Sequence, residues 1–142
     1  MKILAAALLA ASTLTCSWTT WFVVMNNSGE PIRVTYAARP LRTRPAITSN
    51  ANVDKSLSAW HELDVSSVRP KGDVLTISLG PDSSLLVAGL GTYTGSSTYP
   101  SSLFEITSLR IITTDGERSY SGSEVLKAFV ERSRRLYVLE ER

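Results

Sequence analysis

Apolar and polar positions alternate one for one along much of this chain. Ile32, Val34, Tyr36 and Ala38 are separated by Arg33, Thr35 and Ala37 and followed by Arg39, a period of two that puts one set of side chains on the buried face of a strand. Leu75, Ile77 and Leu79 alternate with Thr76 and Ser78 in the same way. Residues 18–26 (WTTWFVVMN) and 85–90 (LLVAGL) are instead apolar, β-branched or aromatic at most positions, as strands covered on both faces are. Turn formers crowd residues 26–31 and 80–83, so 18–26 with 32–39, and 74–79 with 85–90, are predicted to be antiparallel hairpins.

Farther on, the inward set moves from Phe104 and Ile106 to Leu109 and Ile111, which requires either a bulge near Thr107 and Ser108, the favoured reading, or a break into two strands. Asp115-Gly116 predicts a tight turn that folds 117–120 back onto 111–114. Ser121 and Glu124 stand in a capping-box arrangement ahead of Val125, Leu126, Phe129 and Val130, which recur at helical spacing. Arg132, Arg134 and Arg135 follow where positive charge complements a helix C-terminus. Residues 136–139 (LYVL) predict a last short strand. Residues 40–52, with two prolines, read as a solvated loop, and 56–68 fit neither period cleanly, although Leu63 and Val65 would suit the start of a strand. These segments predict a mainly β fold of about eight strands, an antiparallel β-sandwich or open barrel with one short C-terminal α-helix.

The first residues, MKILAAALLAASTLTC, set the compartment. Lys2 precedes an unbroken apolar run over 3–11, and small polar residues over 12–15 lead to Cys16. This order of basic, apolar and small is that of a secretory signal peptide, and the run of roughly nine residues is far short of the about 20 that span a bilayer. On these residues the chain resembles a bacterial lipoprotein precursor. The resemblance implies removal of 1–15, lipidation of Cys16, and a single β-sandwich domain over 16–142 tethered to the outer or cytoplasmic membrane, facing the periplasm or the exterior. Thr13 and Thr15 stand where that class usually has Leu and a smaller residue. Cleavage near Ala10 and Ser12, giving a free periplasmic or secreted protein, and an uncleaved anchor are the competing readings.

Composition narrows the function classes. Fifteen basic against 13 acidic residues give no electrostatic footprint for nucleic acid. A lone cysteine excludes an internal disulfide and a cysteine-based zinc cluster, and no cofactor signature is present. The glycines of 89–95 lack the helix that a phosphate-binding loop must open.

The remaining candidates are modest. Arg39, Arg42 and Arg44 form a basic patch suited to lipid headgroups or another partner, and Tyr93 and Tyr99 flank a Gly/Ser-rich loop as candidate contact aromatics. His61 and Asp64 would serve a hydrolase only with a serine assembled in space, because no Gly-x-Ser-x-Gly elbow is present. The sequence therefore predicts a non-enzymatic envelope protein, a binding or structural module with a protein or cell-wall partner. A small secreted hydrolase using His61, Asp64 and an unassigned serine is the alternative.

Overall fold

The computed structural model describes residues 19–55, 57–68, 72–90, 104–133 and 135–142. In chain order the strands are β1 (Thr20–Asn26), β2 (Ile32–Ala38), β3 (Ala46–Ser49), β4 (His61–Glu62), β5 (Val74–Leu79), β6 (Ser83–Leu90), β7 (Ile106–Thr113), β8 (Gly116–Ser121), β9 (Val130–Ser133) and β10 (Leu136–Glu141), with short helices α1 (Val65–Val68) and α2 (Ser123–Lys127). One sheet runs β4-β3-β6-β1-β10-β9 and the other β5-β2-β7-β8. Their inner faces share a core of Phe22, Val24, Val34, Tyr36, Leu75, Leu85, Val87, Leu109, Ile111 and Leu139, among others. The protein is mainly β, in two antiparallel-rich sheets packed as a sandwich, with no closed barrel among the described residues.

The alternating strands behave as their spacing predicts. Ile32, Val34, Tyr36 and Ala38 are buried, as are Leu75, Ile77 and Leu79. The bulge is present: Ala37 faces Ser108 while Ala38 faces Ile106, so Thr107 is the extra residue. β7 and β8 form the predicted hairpin around Thr114 and Asp115.

The other two predicted hairpins do not form. β1 pairs with β6 and β10, whereas β2 pairs with β5 and β7, so the turn after β1 crosses from one sheet to the other. The turn between β5 and β6 crosses as well. A single buried side chain ties the two crossings together. The two Nδ2 hydrogens of Asn26 are shared among the carbonyls of Glu30, Leu79 and Gly80, at N···O distances of 2.7, 3.1 and 2.9 Å, and its Oδ1 accepts from the Ser28 amide at 3.0 Å. Glu30 and Gly80 lie outside the strands and Leu79 is the last residue of β5, so Asn26 supplies hydrogen bonds to carbonyls where the ladders end.

Three more expectations need correction. The loop predicted over 40–52 contains β3, which pairs with β6. The helix stops at Lys127; Val130, Arg132 and Ser133 lie in β9, Ser121 ends β8, and Gly122 with φ 55° precedes the helix without a side-chain cap. The terminal strands β1 and β10 run parallel, a pairing that needs no crossover helix because the rest of the fold intervenes between them.

β1 is central to its sheet and buried on both faces. Phe22 and Val24 point into the sandwich, while Val23 and Met25 join Ala46, Val53, Leu86, Leu136 and Val138 in a second apolar cluster on the outer face, flanked by Trp21 and Trp60.

Candidate functional site

The outer face of the β4-β3-β6-β1 region carries a groove of about 470 Å³ lined by Trp21, Arg42, Thr43, Arg44, Ala46, Trp60, Glu62, Leu86 and Gly89. Its form follows from register. β6 carries a bulge against β1: Val23 faces Leu86 but Phe22 faces Ala88, leaving Val87 as the extra residue. Without that extra residue Trp21 would face Ala88; with it, Trp21 faces Gly89. The indole fills the space that glycine leaves, since a Cβ at position 89 would lie 2.5 Å from Trp21 Cε3 and Cζ3. A close approach of this kind is what an isolated strand glycine often marks.

The floor of the groove is sealed by Thr43. Its Oγ1 accepts from the Gly89 amide at 2.8 Å and donates to the Gly89 carbonyl at 2.9 Å, so the hydroxyl continues the β3–β6 pairing beyond Ala46. Trp60 stands just before β4, and Thr48 Oγ1 donates to the neighbouring Ala59 carbonyl at 2.7 Å. The two partly buried indoles thus flank a low floor of Ala46, Leu86 and Gly89.

Charge gathers at one rim. Arg44 pairs with Glu62 at 3.4 Å, Arg39 pairs with Asp73 away from the groove, and Arg42 lines the groove with no carboxylate in ion-pair distance among the described residues. Of the three arginines singled out by the sequence, Arg42 and Arg44 line the groove and Arg39 does not.

Behind the rim lies Glu105, which is 4% exposed. Its Oε2 accepts from the Arg42 amide at 3.1 Å, and its backbone carbonyl accepts from the Arg39 amide at 3.2 Å. Among the described residues Oε1 has no hydrogen-bond partner, nor has the buried hydroxyl of Tyr36. Burial pushes the Glu105 carboxyl above the ordinary glutamate range, against the hydrogen bond from the Arg42 amide and the Arg42 charge. The Tyr36 phenol is raised as well, first by burial and then by the Glu105 charge. The folded protein thus keeps a proton on Glu105 over a pH window in which the unfolded chain has lost it. That contribution is complete below the unfolded value and disappears as the pH rises through the folded one. Glu105→Gln is expected to gain stability relative to wild type as the pH is raised from about 4.5 to 7, read by urea unfolding at each pH; a gap that stays constant would show that Glu105 is not the titrating group.

The residues considered for hydrolysis do not assemble into a base and nucleophile among the described residues. His61 is exposed on the two-residue edge strand β4. Asp64 is occupied at the start of α1, where Oδ1 accepts from the Ser66 amide at 2.9 Å and hydroxyl at 2.7 Å; these bonds hold its carboxyl below the usual range. Among the described residues no group of three His, Cys, Asp or Glu could hold a metal ion, and no helix is long and apolar enough to cross a membrane. Cys16, Tyr93 and Tyr99 lie outside the described residues.

A second cleft, about 730 Å³, lies between the edge strands β8 and β9 and includes Arg118, Tyr120, Val130, Arg132 and Arg142. Val130 is 68% exposed there. Its charges are largely consumed internally, Arg118 by Glu141 and Arg142 by Glu140 at 3.3 Å, with Asn27 also donating to Glu140.

Trp21 and Trp60 are the site residues that sequence reasoning missed. Trp21 looks like one more strand aromatic, and only the bulged register reveals that a glycine faces it; Trp60 sits in the segment whose periodicity was ambiguous. The signal in principle was the pairing of isolated strand glycine and aromatic, which needs the register to interpret. No protein-family model, curated protein or solved structure matches this chain.

Proposed function

We propose that this chain is an exported, non-enzymatic binding module of the bacterial cell envelope, tethered through Cys16, that holds an envelope component in the groove between Trp21 and Trp60. The observation that carries the reading is the pair of indoles over a floor kept low by Gly89 and Ala46, with Arg42, Arg44 and Glu62 along one rim. Concave sites with aromatic walls and a few placed polar groups are where partners are held. Large aromatics left partly exposed around such a floor add contact area at little conformational cost. The leader supports the address, and the groove supports the role.

The test has two parts. Intact mass of the bacterially expressed chain is expected to show a lipid adduct that Cys16→Ser lacks; identical masses with cleavage before residue 16 would make the protein a free one. The Cys16→Ser chain, which carries no lipid, is expected to cosediment with washed bacterial envelopes, and Trp60→Ala in that background to lose most of this binding. Undiminished cosedimentation of the Trp60 variant, with an unchanged thermal melt, would remove the groove as the site.

The exposed Val130 beside the β8 and β9 edges favours a second reading, a protein partner docked on that side. Edge charges such as Glu117, Arg118, Glu131 and Arg132 argue against strand addition there, since charged edges resist pairing.

A further inference from the structure

We infer that the groove takes a glycan bearing anionic groups, with Arg42 as the residue that reads the charge. The inference rests on the groove being the binding site and names the chemistry of its occupant.

The first support is charge complementarity. Arg39 and Arg44 are neutralised by Asp73 and Glu62, whereas the exposed Arg42 lines the groove without an ion-pair partner among the described residues. The acid whose field it feels, Glu105, is buried behind the loop and bonded to the Arg42 backbone amide. A guanidinium so placed offers a fork of donors matched to a carboxylate or a phosphate.

The second support weighs against a peptide added as a strand. Peptides laid on a sheet are held mainly by main-chain hydrogen bonds. At the groove floor the Gly89 amide and carbonyl are both taken by the Thr43 hydroxyl. Recognition is left to indole faces and to rim groups, donors on Arg42 and Arg44 beside the acceptor Glu62. Sugar rings fit that set: their C–H faces lie flat on indoles, and each hydroxyl both donates and accepts.

The anchoring of Arg42 makes the position selective. Its amide is fixed by Glu105, and the next residue, Thr43, is fixed by Gly89, so the guanidinium extends from a loop held at both residues. Carboxylate and phosphate share the chemistry that Arg42 recognises, and the probes below separate them.

The experiment follows tryptophan fluorescence of the full Cys16→Ser chain titrated with three oligosaccharides of matched length: a galacturonate oligomer, a neutral glucan oligomer and a phosphorylated mannan oligomer. At least one acidic oligomer is expected to bind about tenfold or more tightly than the neutral one, an advantage that shrinks with added salt. Whichever acidic oligomer is preferred identifies the anionic group. Arg42→Gln, a change on an exposed side chain, removes the advantage, lowering affinity for the preferred acidic oligomer at least about tenfold more than affinity for the neutral glucan; Arg42→Lys restores part of it. Equal affinity for acidic and neutral oligomers, or an unaltered preference in Arg42→Gln, overturns the assignment of Arg42 while leaving the groove in place. Response to an acidic proline-rich peptide but to none of the oligosaccharides overturns the glycan and keeps the groove. Binding of an oligosaccharide that Trp60→Ala does not weaken removes the groove itself, and the inference with it.

Discussion

Replacing Phe22 with alanine is expected to destabilise the fold by about 3–5 kcal/mol, the range for losing a fully buried aromatic. Phe22 is 0% exposed and sits at the centre of an aromatic cluster. Its ring lies 4.7 Å from Phe104, 5.5 Å edge-on from Phe129 and 5.1 Å stacked on Tyr137. Those partners come from the approach to β7, the residues after α2, and β10, so one side chain joins three parts of the chain to the central strand. The cavity left by alanine has little chance to collapse, because the surrounding strands are fixed by ladders on both sides. Phe22→Leu, which keeps most of the volume, is expected to cost less than half as much. Urea unfolding of both variants checks the ordering; a loss below about 1 kcal/mol for alanine would mean that the cluster does not carry the core.

Asn26→Ala is expected to cost about 2–4 kcal/mol, more than an ordinary surface or cap substitution, because it strands carbonyls rather than merely deleting contacts. The Asn26 side chain joins the carbonyls of Glu30, Leu79 and Gly80 to the Ser28 amide and hydroxyl. All of these belong to the two crossings between sheets. Asn26→Asp is expected to be no better than alanine, since a carboxylate would face three carbonyl oxygens without a proton to offer. Hydrogen exchange would show the damage concentrated in residues 26–31 and 79–83 rather than spread over β7 and β8. Uniform loss of protection would contradict the local role assigned to Asn26.

The same residue explains how far the sequence could be read. Period-two alternation identified β2, β5 and their buried faces because one-sided burial writes itself directly into residue type. The misplaced inward set over 104–111 identified the bulge at Thr107 for the same reason. Turn composition, in contrast, marks where a chain reverses but not which sheet receives it. Residues 26–31 and 80–83 are equally good turns for a hairpin or for a crossing, and what decides is a buried asparagine whose partners lie 53 and 54 residues away.

The C-terminal misreading has a different cause. Val125, Leu126, Phe129 and Val130 satisfy helical spacing over too short a span to separate it from a helix followed by a strand. Val125 and Phe129 do reach the core, but Val130 begins an edge strand and faces solvent. For the groove, the arginines are visible in the sequence as charges and Trp21 as a strand aromatic, while Trp60 lies in a segment that fits neither period. Their convergence depends on the extra residue in β6 that turns Gly89 toward Trp21, a register fact with no local signature.

The most direct test of the account is a nitrogen–proton correlation spectrum of the Cys16→Ser chain, titrated with soluble fragments that glycan-cleaving and protein-cleaving enzymes release from bacterial envelopes. The account predicts that the indole signals of Trp21 and Trp60 shift together with the amides of residues 42–44 and 89, while those of β8 and β9 stay in place. Shifts confined to residues 116–121 and 130–133, with both indoles unmoved, would contradict it.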